Sequence, residues 1–265
     1  MKKLLLSAFV ICLAGTSIAQ ESPLWMRHCA LSPDGTTIAF TYKGDIYTVP
    51  STGGRATQIT TNPAFDTEPV WSPDSKQIAF ASDRMGSLDV FVVSSEGGAP
   101  QRLTTHSGSE KPVAYKDNKH ILFTANIAPS AEDAGFPSGQ FQQVYEVAVT
   151  GGRPAMFSSM PMECISINKE GVMLYQDKKG YEDYWRKHQV SPIARDIWTY
   201  TPGKKPVYQK QTTFGGEDRE PVWSPDGKSF YYLSEEKGSF NIFQRTPGTT
   251  TSQQITFHTK HPYVF

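Results

Sequence analysis

The sequence predicts an all-β protein: a β-propeller of four-stranded antiparallel blades, with five blades and the first strand of a sixth. Three observations support this prediction: a turn signature that recurs along the chain, two strand-like runs after each turn, and a glycine-rich turn after the second run. Four short strands in a unit of about 40–55 residues are typical of one propeller blade. A β-sandwich also has regular strands, but it does not repeat one turn chemistry in phase.

The recurring turn is Ser-Pro-Asp-Gly or a variant of it. Serine accepts a hydrogen bond at the first position, proline presets φ at the second, and glycine relaxes the fourth, as in a type I turn. Three copies keep the pattern and two have diverged, at residues 32–35, 72–75, 224–227, 116–119 and 168–171. Five copies in register predict five blades.

Short apolar runs follow each turn and supply the second and third strands of each blade. The second strands are predicted around 38–40, 78–80, 121–123, 173–175 and 230–232. The third strands are predicted around 45–47, 89–91, 143–145, 196–198 and 241–243. The predicted blades cover residues 24–60, 65–104, 110–158, 162–212 and 218–256, and residues 261–265 start a sixth. We therefore expect residues 20–265 to be an incomplete six-bladed propeller from a longer protein.

Residues 1–19 have the pattern of a signal peptide. Lys2 and Lys3 precede a short apolar stretch, and small residues end the segment at Ala19. The apolar stretch is too short to span a bilayer. We therefore expect export to the periplasm or the exterior of a bacterium. Removing this segment leaves 24 basic and 26 acidic side chains, which predicts neither a nucleic-acid nor a membrane partner.

Two cysteines, Cys29 and Cys164, follow the predicted signal peptide. The repeat places them on the first strands of blades 1 and 4, on opposite sides of a six-bladed ring. A disulfide needs Cα atoms within about 7 Å, so we predict two free thiols that serve in packing.

Loop lengths differ between the two faces of the predicted propeller. One face carries the short repeated turns, and the other carries long insertions at 126–140 and 177–194. The connections of the second face contain six acids: Asp66, Glu68, Glu110, Glu217, Asp218 and Glu220. Either they form an acidic rim around a binding surface, or they are solvated charges of the repeat.

The blade-four insertion carries a more specific resemblance. Tyr-Trp-Arg-Lys-His at 184–188 continues to Ala-Arg-Asp-Ile-Trp at 194–198, and Trp-Met-Arg at 25–27 precedes the first turn. These segments resemble the amino-terminal six-bladed propeller of tricorn-type proteases, built from TolB-like, WD-related repeats. The resemblance covers residues 24–265, although this chain has His188-Gln189 where family members often have paired histidines.

The resemblance implies a second propeller, a PDZ domain and a serine peptidase domain after this region. It implies peptide or unfolded protein as substrate, propellers that admit or guide peptides, and homo-oligomers in some members. The candidate peptide contacts are Arg186, His188, Arg195, Asp196, Glu68 and Glu220. Arginine suits a substrate carboxylate, but Arg195 is equally suited to pair with a nearby acid and fix the long loop.

Catalytic, metal-binding and cofactor-binding motifs are missing from the sequence: it has no Gly-x-Ser-x-Gly elbow, no His-Glu-x-x-His and no phosphate-binding loop. We expect no catalytic residue, metal or cofactor, and we expect Trp71, Trp198 and Trp223 to pack between blades. Three hypotheses remain open: a non-catalytic region of an exported tricorn-like peptidase, a periplasmic TolB-like scaffold that binds envelope proteins, and an accessory domain of another hydrolase.

Overall fold

The computed structural model describes residues 25–127, 141–180 and 190–260. These residues form five four-stranded antiparallel sheets, each made of four consecutive strands. The predicted β-propeller fold is confirmed. The predicted signal peptide at 1–19 and the predicted start of a sixth blade at 261–265 lie outside the described residues.

The strands follow one another along the chain in groups of four. Blade 1 contains β1 Arg27–Leu31, β2 Thr37–Tyr42, β3 Asp45–Pro50 and β4 Thr57–Gln58. Blade 2 contains β5 Asp66–Trp71, β6 Gln77–Ser82, β7 Asp89–Ser94 and β8 Gln101–Arg102. Blade 3 contains β9 Lys111–Asp117, β10 His120–Ala125, β11 Gln143–Ala148 and β12 Ala155–Ser158. Blade 4 contains β13 Met162–Ile167, β14 Met173–Asp177, β15 Ile197–Thr201 and β16 Val207–Lys210. Blade 5 contains β17 Asp218–Trp223, β18 Phe230–Ser234, β19 Asn241–Arg245 and β20 Ser252–Gln254.

The Ser-Pro-Asp-Gly turns have the hydrogen bonds that their sequence predicts. In blade 1 the backbone N–H of Gly35 donates to the Ser32 carbonyl at 2.8 Å, and the Ser32 hydroxyl donates to Asp34 at 2.6 Å. Gly35 has a φ of 75°, which a residue without Cβ adopts readily. Blades 2 and 5 repeat both bonds, with serine as donor to aspartate at 2.7 and 2.6 Å.

The hydrophobic cores lie between blades rather than within them. Alternating side chains of each strand point to the two neighbouring blades, so every pair of successive blades shares one apolar cluster. The indole N–H of Trp71 donates to the Ala30 carbonyl of blade 1 at 2.9 Å, and that of Trp223 donates to the Val172 carbonyl of blade 4 at 3.1 Å. Trp198 packs against the cluster shared by blades 3 and 4. The predicted packing role of the three tryptophans is confirmed.

First strands of successive blades contact one another: β1 with β5, β5 with β9, β9 with β13, and β13 with β17. These five strands are therefore the inner strands of the propeller, and the fourth strands lie at its outside. Among the described residues, no helix has the length and apolar character needed to cross a membrane.

Candidate functional site: the inner strands

Four of the five inner strands contain the same irregularity. In blade 2, Thr67 pairs with Ala81 and Val70 pairs with Ala79, so Glu68 and Pro69 together lie opposite Phe80. This is a β-bulge, which bends a strand and redirects a side chain. Blades 1, 4 and 5 have the same shift in register.

The bulges place four non-glycine residues in the left-handed backbone region. The φ angles are 51° at His28, 55° at Glu68, 52° at Cys164 and 52° at Glu220. Such a conformation costs about 1–3 kcal/mol, and it persists only where the surrounding structure enforces it. Because this costly conformation recurs at the equivalent bulge position in four blades, we take the inner strands as the candidate site.

Blades 1 to 3 contribute a partly exposed group of charges that we call the Glu68 cluster (His28, Glu68 and Lys111). The Lys111 ammonium lies 2.7 Å from the Glu68 carboxylate, and the two side chains are 36% and 25% exposed. Burial lowers the pKa of His28, and the carboxylate of Glu68 partly offsets that effect. This cluster offers both an exposed donor and an exposed acceptor.

Blades 4 and 5 contribute a denser group that we call the Glu220 cluster (Glu163, Cys164, Gln176, Arg195 and Glu220). The Gln176 amide joins its two halves, since its Nε2 donates to Glu163 at 3.1 Å and its Oε1 accepts the backbone N–H of Glu220 at 2.9 Å. The Cys164 thiol hydrogen-bonds to the Glu220 carboxylate. Burial raises the pKa of Glu220. Burial also raises the pKa of Cys164 well above its ordinary value, and the negative charges of Glu220 and Glu163 act in the same direction.

Arg195 connects the Glu220 cluster to the linker between blades 4 and 5. Its Nε lies 3.3 Å from Glu163 and its Nη1 lies 3.4 Å from the buried Glu217. Burial alone would raise the pKa of Glu163, but hydrogen bonding and charge from Lys178, with Arg195, bring it below the ordinary value. Arg195 therefore pairs with one acid of blade 4 and one acid of the linker, in agreement with the predicted alternative that it pairs with a nearby acid.

Of the three remaining candidate residues in the blade-four segment, the structure describes one. Asp196 is buried, and its carboxylate pairs with Lys210 at 2.8 Å and with Lys179. Arg186 and His188 lie outside the described residues. The structure thus brings Arg195 and Glu220 into one cluster and places Glu68 in the other.

The acids predicted to form a rim divide into two groups. Asp66, Glu110, Glu217 and Asp218 are buried at the seams between blades, so they are neither an exposed rim nor solvated charges. Burial removes the water that would stabilise the charge of each acid, so each one needs a protein partner or a bound proton instead. Only Glu68 and Glu220 are partly exposed, and both lie within strands β5 and β17 rather than in connections.

Comparison with known proteins agrees with this architecture. Residues 23–264 match the family described as the tricorn protease N-terminal beta propeller domain. The chain belongs to this family. It is 39% identical over 213 residues to tricorn protease homolog 1 of Streptomyces coelicolor, which covers 80% of this chain and 19% of the homolog. It is 34% identical over 218 residues to the uncharacterized protein Atu1656 of Agrobacterium fabrum, covering 77% of this chain and 68% of that protein.

Solved structures show the same fold as this tricorn-family propeller at low sequence identity. The tricorn protease has a TM-score of 0.72 and 16% identity, over 91% of this chain and 23% of that one. The structure named putative TolB from Agrobacterium tumefaciens has a TM-score of 0.68 and 14% identity, over 88% of this chain and 81% of that one. The chain therefore spans about a fifth of the length of the tricorn homolog and of the tricorn protease.

In this family member, four residues of the two clusters escaped sequence reasoning: His28, Lys111, Glu163 and Gln176. Lys111 precedes Pro112 just as Glu68 precedes Pro69, so the repeat register already marked it. His28 and Glu163 have no such neighbour, and only the positions of adjacent inner strands bring them into the site. Cys29 and Cys164 are free thiols on β1 and β13, as predicted, but Cys29 is exposed, so the predicted packing role is wrong for that residue.

Proposed function

We propose that this chain is the non-catalytic propeller region of an exported, tricorn-like serine peptidase, and that it restricts and orients peptides on their way to a peptidase domain elsewhere. Family membership and the tricorn homolog support the link to a peptidase. Because the chain spans 19% of that homolog, peptidase and PDZ domains are proposed as partners within a longer protein. The composition of residues 1–19 supports export.

The observation that carries the proposal is the charge arrangement of the inner strands. Lys111 and Glu68 expose an ammonium and a carboxylate together, and Lys178 and Glu163 repeat such a pair at 2.8 Å in blade 4. An extended peptide presents backbone N–H and C=O groups along its whole length, so paired donors and acceptors bind it without requiring one sequence. This suits a passage that selects by size and extension.

We include the long blade-four segment in the proposed peptide path. Arg186 and His188 are offered as contacts from that segment, together with Glu68 and Glu220 from the inner strands. Arg195 and Asp196 are proposed to act indirectly, since their ion pairs join the end of this segment to Glu217, just before β17, and to Lys210 of β16. Homo-oligomerisation would place several such passages side by side.

A binding and cleavage assay tests this function. The purified chain is mixed with a fluorescently labelled unfolded peptide, and anisotropy and mass spectrometry report binding and integrity. We expect binding without hydrolysis, and we expect Lys111→Met to weaken binding. Lys116→Met is the matched control, because Lys116 lies on the same strand in a 2.8 Å pair with Glu146 of β11. Hydrolysis by the chain, or equal loss of binding in both variants, would contradict the proposal.

A TolB-like interaction scaffold is the second candidate. It is favoured by Atu1656, of which this chain covers 68%, since that relative is only moderately longer than the region matched here. A scaffold of this kind binds a folded partner rather than unfolded peptides. Retention of folded envelope proteins by the immobilised chain, without competition from unfolded peptide, would favour it over the peptidase region.

A further inference from the structure

One arrangement of acids recurs at three seams between blades. In each, an acid at or just before the start of an inner strand interacts electrostatically with an acid at or just before the start of the preceding blade's third strand. The three pairs are Asp66 with Asp45, Glu110 with Asp89, and Asp218 with Asp196. One backbone hydrogen bond closes each seam at this point. The backbone N–H of Asp66 donates to the Gly44 carbonyl at 2.7 Å, and that of Glu110 donates to the Leu88 carbonyl at 2.7 Å. The backbone N–H of Asp218 donates to the Arg195 carbonyl at 3.1 Å. We call these sites the carboxyl pairs of seams 1–2, 2–3 and 4–5.

The carboxyl pair of seam 2–3 has one cation for two acids. Asp89 and Glu110 are both fully buried, and Arg102 lies 2.8 Å from Asp89. Glu110 is approached by Asp89, by the Thr104 hydroxyl and by the backbone of His106. Two carboxylates beside one guanidinium leave an excess negative charge in a buried place, and such a charge is costly unless it is neutralised.

In the carboxyl pair of seam 4–5, the neighbouring lysines form ion pairs with only one of the two acids. Lys210 and Lys179 both contact Asp196. Asp218 is buried with the hydroxyl groups of Ser234 and Thr212 near its carboxylate, while Asp196 and Glu236 add negative charge. Arg195, next to this site, is held by Glu163 and Glu217.

Seam 1–2 differs and provides an internal reference. Arg84 places one nitrogen 2.9 Å from each oxygen of the buried Asp66, so the acid at the start of this inner strand has its own cation. Its companion Asp45 is only partly buried. In this pair, the buried acid therefore has its own cation, and the companion acid is partly open to water.

We propose that the carboxyl pairs of seams 2–3 and 4–5 each hold a proton in the closed propeller, and that its loss at rising pH loosens the contact between the two blades. Glu110 and Asp218 are buried while the neighbouring cations pair with Asp89 and Asp196, which favours the proton, and the pKa values agree. Burial, with the charge of Asp89 acting in the same direction, raises the pKa of Glu110 to about 7, and burial raises that of Asp218 to about 7. A raised pKa in the closed state means that the stabilisation is complete below the ordinary pKa of the acid and is lost as the pH rises to about 7.

Hydrogen exchange of three backbone amides tests the proposal in the unmodified chain. The N–H groups of Glu110 and Asp218 report seams 2–3 and 4–5, and that of Asp66 reports seam 1–2 and corrects for faster chemical exchange at high pH. Between pH 6 and pH 8.5 we expect the protection of Glu110 and Asp218 to fall about tenfold relative to Asp66. A ratio that stays constant over this range would overturn the proposal.

Amide substitutions test the origin of the effect. Glu110→Gln and Asp218→Asn keep the shape of the side chains but cannot lose the proton. Each variant should abolish the pH-dependent change at its own seam and leave it intact at the other. A change that persists at the substituted seam would show that another group is responsible and would overturn the proposal.

Discussion

Glu68-Pro69-Val70-Trp71 and Glu220-Pro221-Val222-Trp223 are the same four residues in the same place, yet they form different sites. Both glutamates lie on a bulge with φ of 55° and 52°. Glu68 meets a lysine of the next inner strand at 2.7 Å and remains partly open to solvent. Glu220 meets the Cys164 thiol and the Gln176 amide in a more buried setting.

The difference shows how a repeat protein separates scaffold from site. The repeat sets the backbone and aims the side chain, whereas the residues of the adjoining blade decide its charge and exposure. Glu68 is paired by Lys111, which is partly exposed, whereas the acids around Glu220 are paired by Arg195, which is buried. We expect the Glu68 cluster to contribute more to ligand binding and the Glu220 cluster to contribute more to the stability of the fold.

Removing the cation of each cluster should have very different effects. Arg195→Met removes two charge-assisted contacts, although Lys178 still pairs with Glu163 and Arg219 still pairs with Glu217, and it should cost about 3 kcal/mol of unfolding free energy. Lys111→Met breaks a partly exposed pair and should cost less than about 1 kcal/mol. Urea denaturation of both variants checks this. Equal losses would mean that the two clusters do not differ in role.

The tryptophans that end the two tetrapeptides should also differ. Trp71 is 7% exposed within the shared core of blades 1 and 2, whereas Trp223 is only partly buried. Trp71→Ala should cost about 3–5 kcal/mol because it leaves a cavity and an unpaired Ala30 carbonyl. Trp223→Ala should cost less, as thermal and urea unfolding would show. A larger loss for Trp223→Ala would contradict the assignment of the buried seam.

Two acids of the Glu220 cluster should have opposite pH dependence. The pKa of Glu163 is lowered in the folded chain, so its stabilisation is present above the ordinary value and is lost on acidification. Glu163→Gln should therefore cost about 1–3 kcal/mol at pH 7 and less below pH 4. The pKa of Glu220 is raised, so Glu220→Gln should gain stability relative to the parent chain as the pH rises above about 4.5. Urea denaturation of both variants and of the parent chain across this pH range checks the prediction. The same pH dependence of unfolding free energy in both variants would contradict it.

The smallest effect concerns thiol reactivity. The exposed Cys29 should react with a disulfide reagent at pH 7.5 at least about tenfold faster than Cys164, because burial and the carboxylates of Glu220 and Glu163 oppose ionisation of the second thiol. Glu220→Gln should accelerate Cys164 and leave Cys29 unchanged. Faster labelling of Cys164 in the parent chain would contradict the described cluster.

Much of the fold was predictable because its information is local. The turn residues at 32–35 specify their own hydrogen bonds, and the short apolar runs in β2, β6 and β10 predict strands that are covered by neighbouring blades on both faces. The placement of Trp71 and Trp223 between blades followed from the same register. None of these features depends on the exact angle between neighbouring blades.

The site was less predictable because it depends on contacts across blades. The pairing of Glu68 with Lys111 joins residues 43 positions apart, and its existence depends on how β5 and β9 approach each other. The burial of Asp66 and Glu110 also depends on the seams, which is why acids that look like surface charges in the sequence are interior groups. The repeat identified the positions but not the partners.

Hydrogen exchange with and without a bound unfolded peptide tests the central claim most directly. If the inner strands are the peptide path, added protection should concentrate in β1, β5, β9, β13 and β17, with the strongest change at residues 66–71 and 111–117. The outer strands β12 and β16 should be unaffected. Protection confined to the outer strands, or no protection at saturating peptide, would contradict the account.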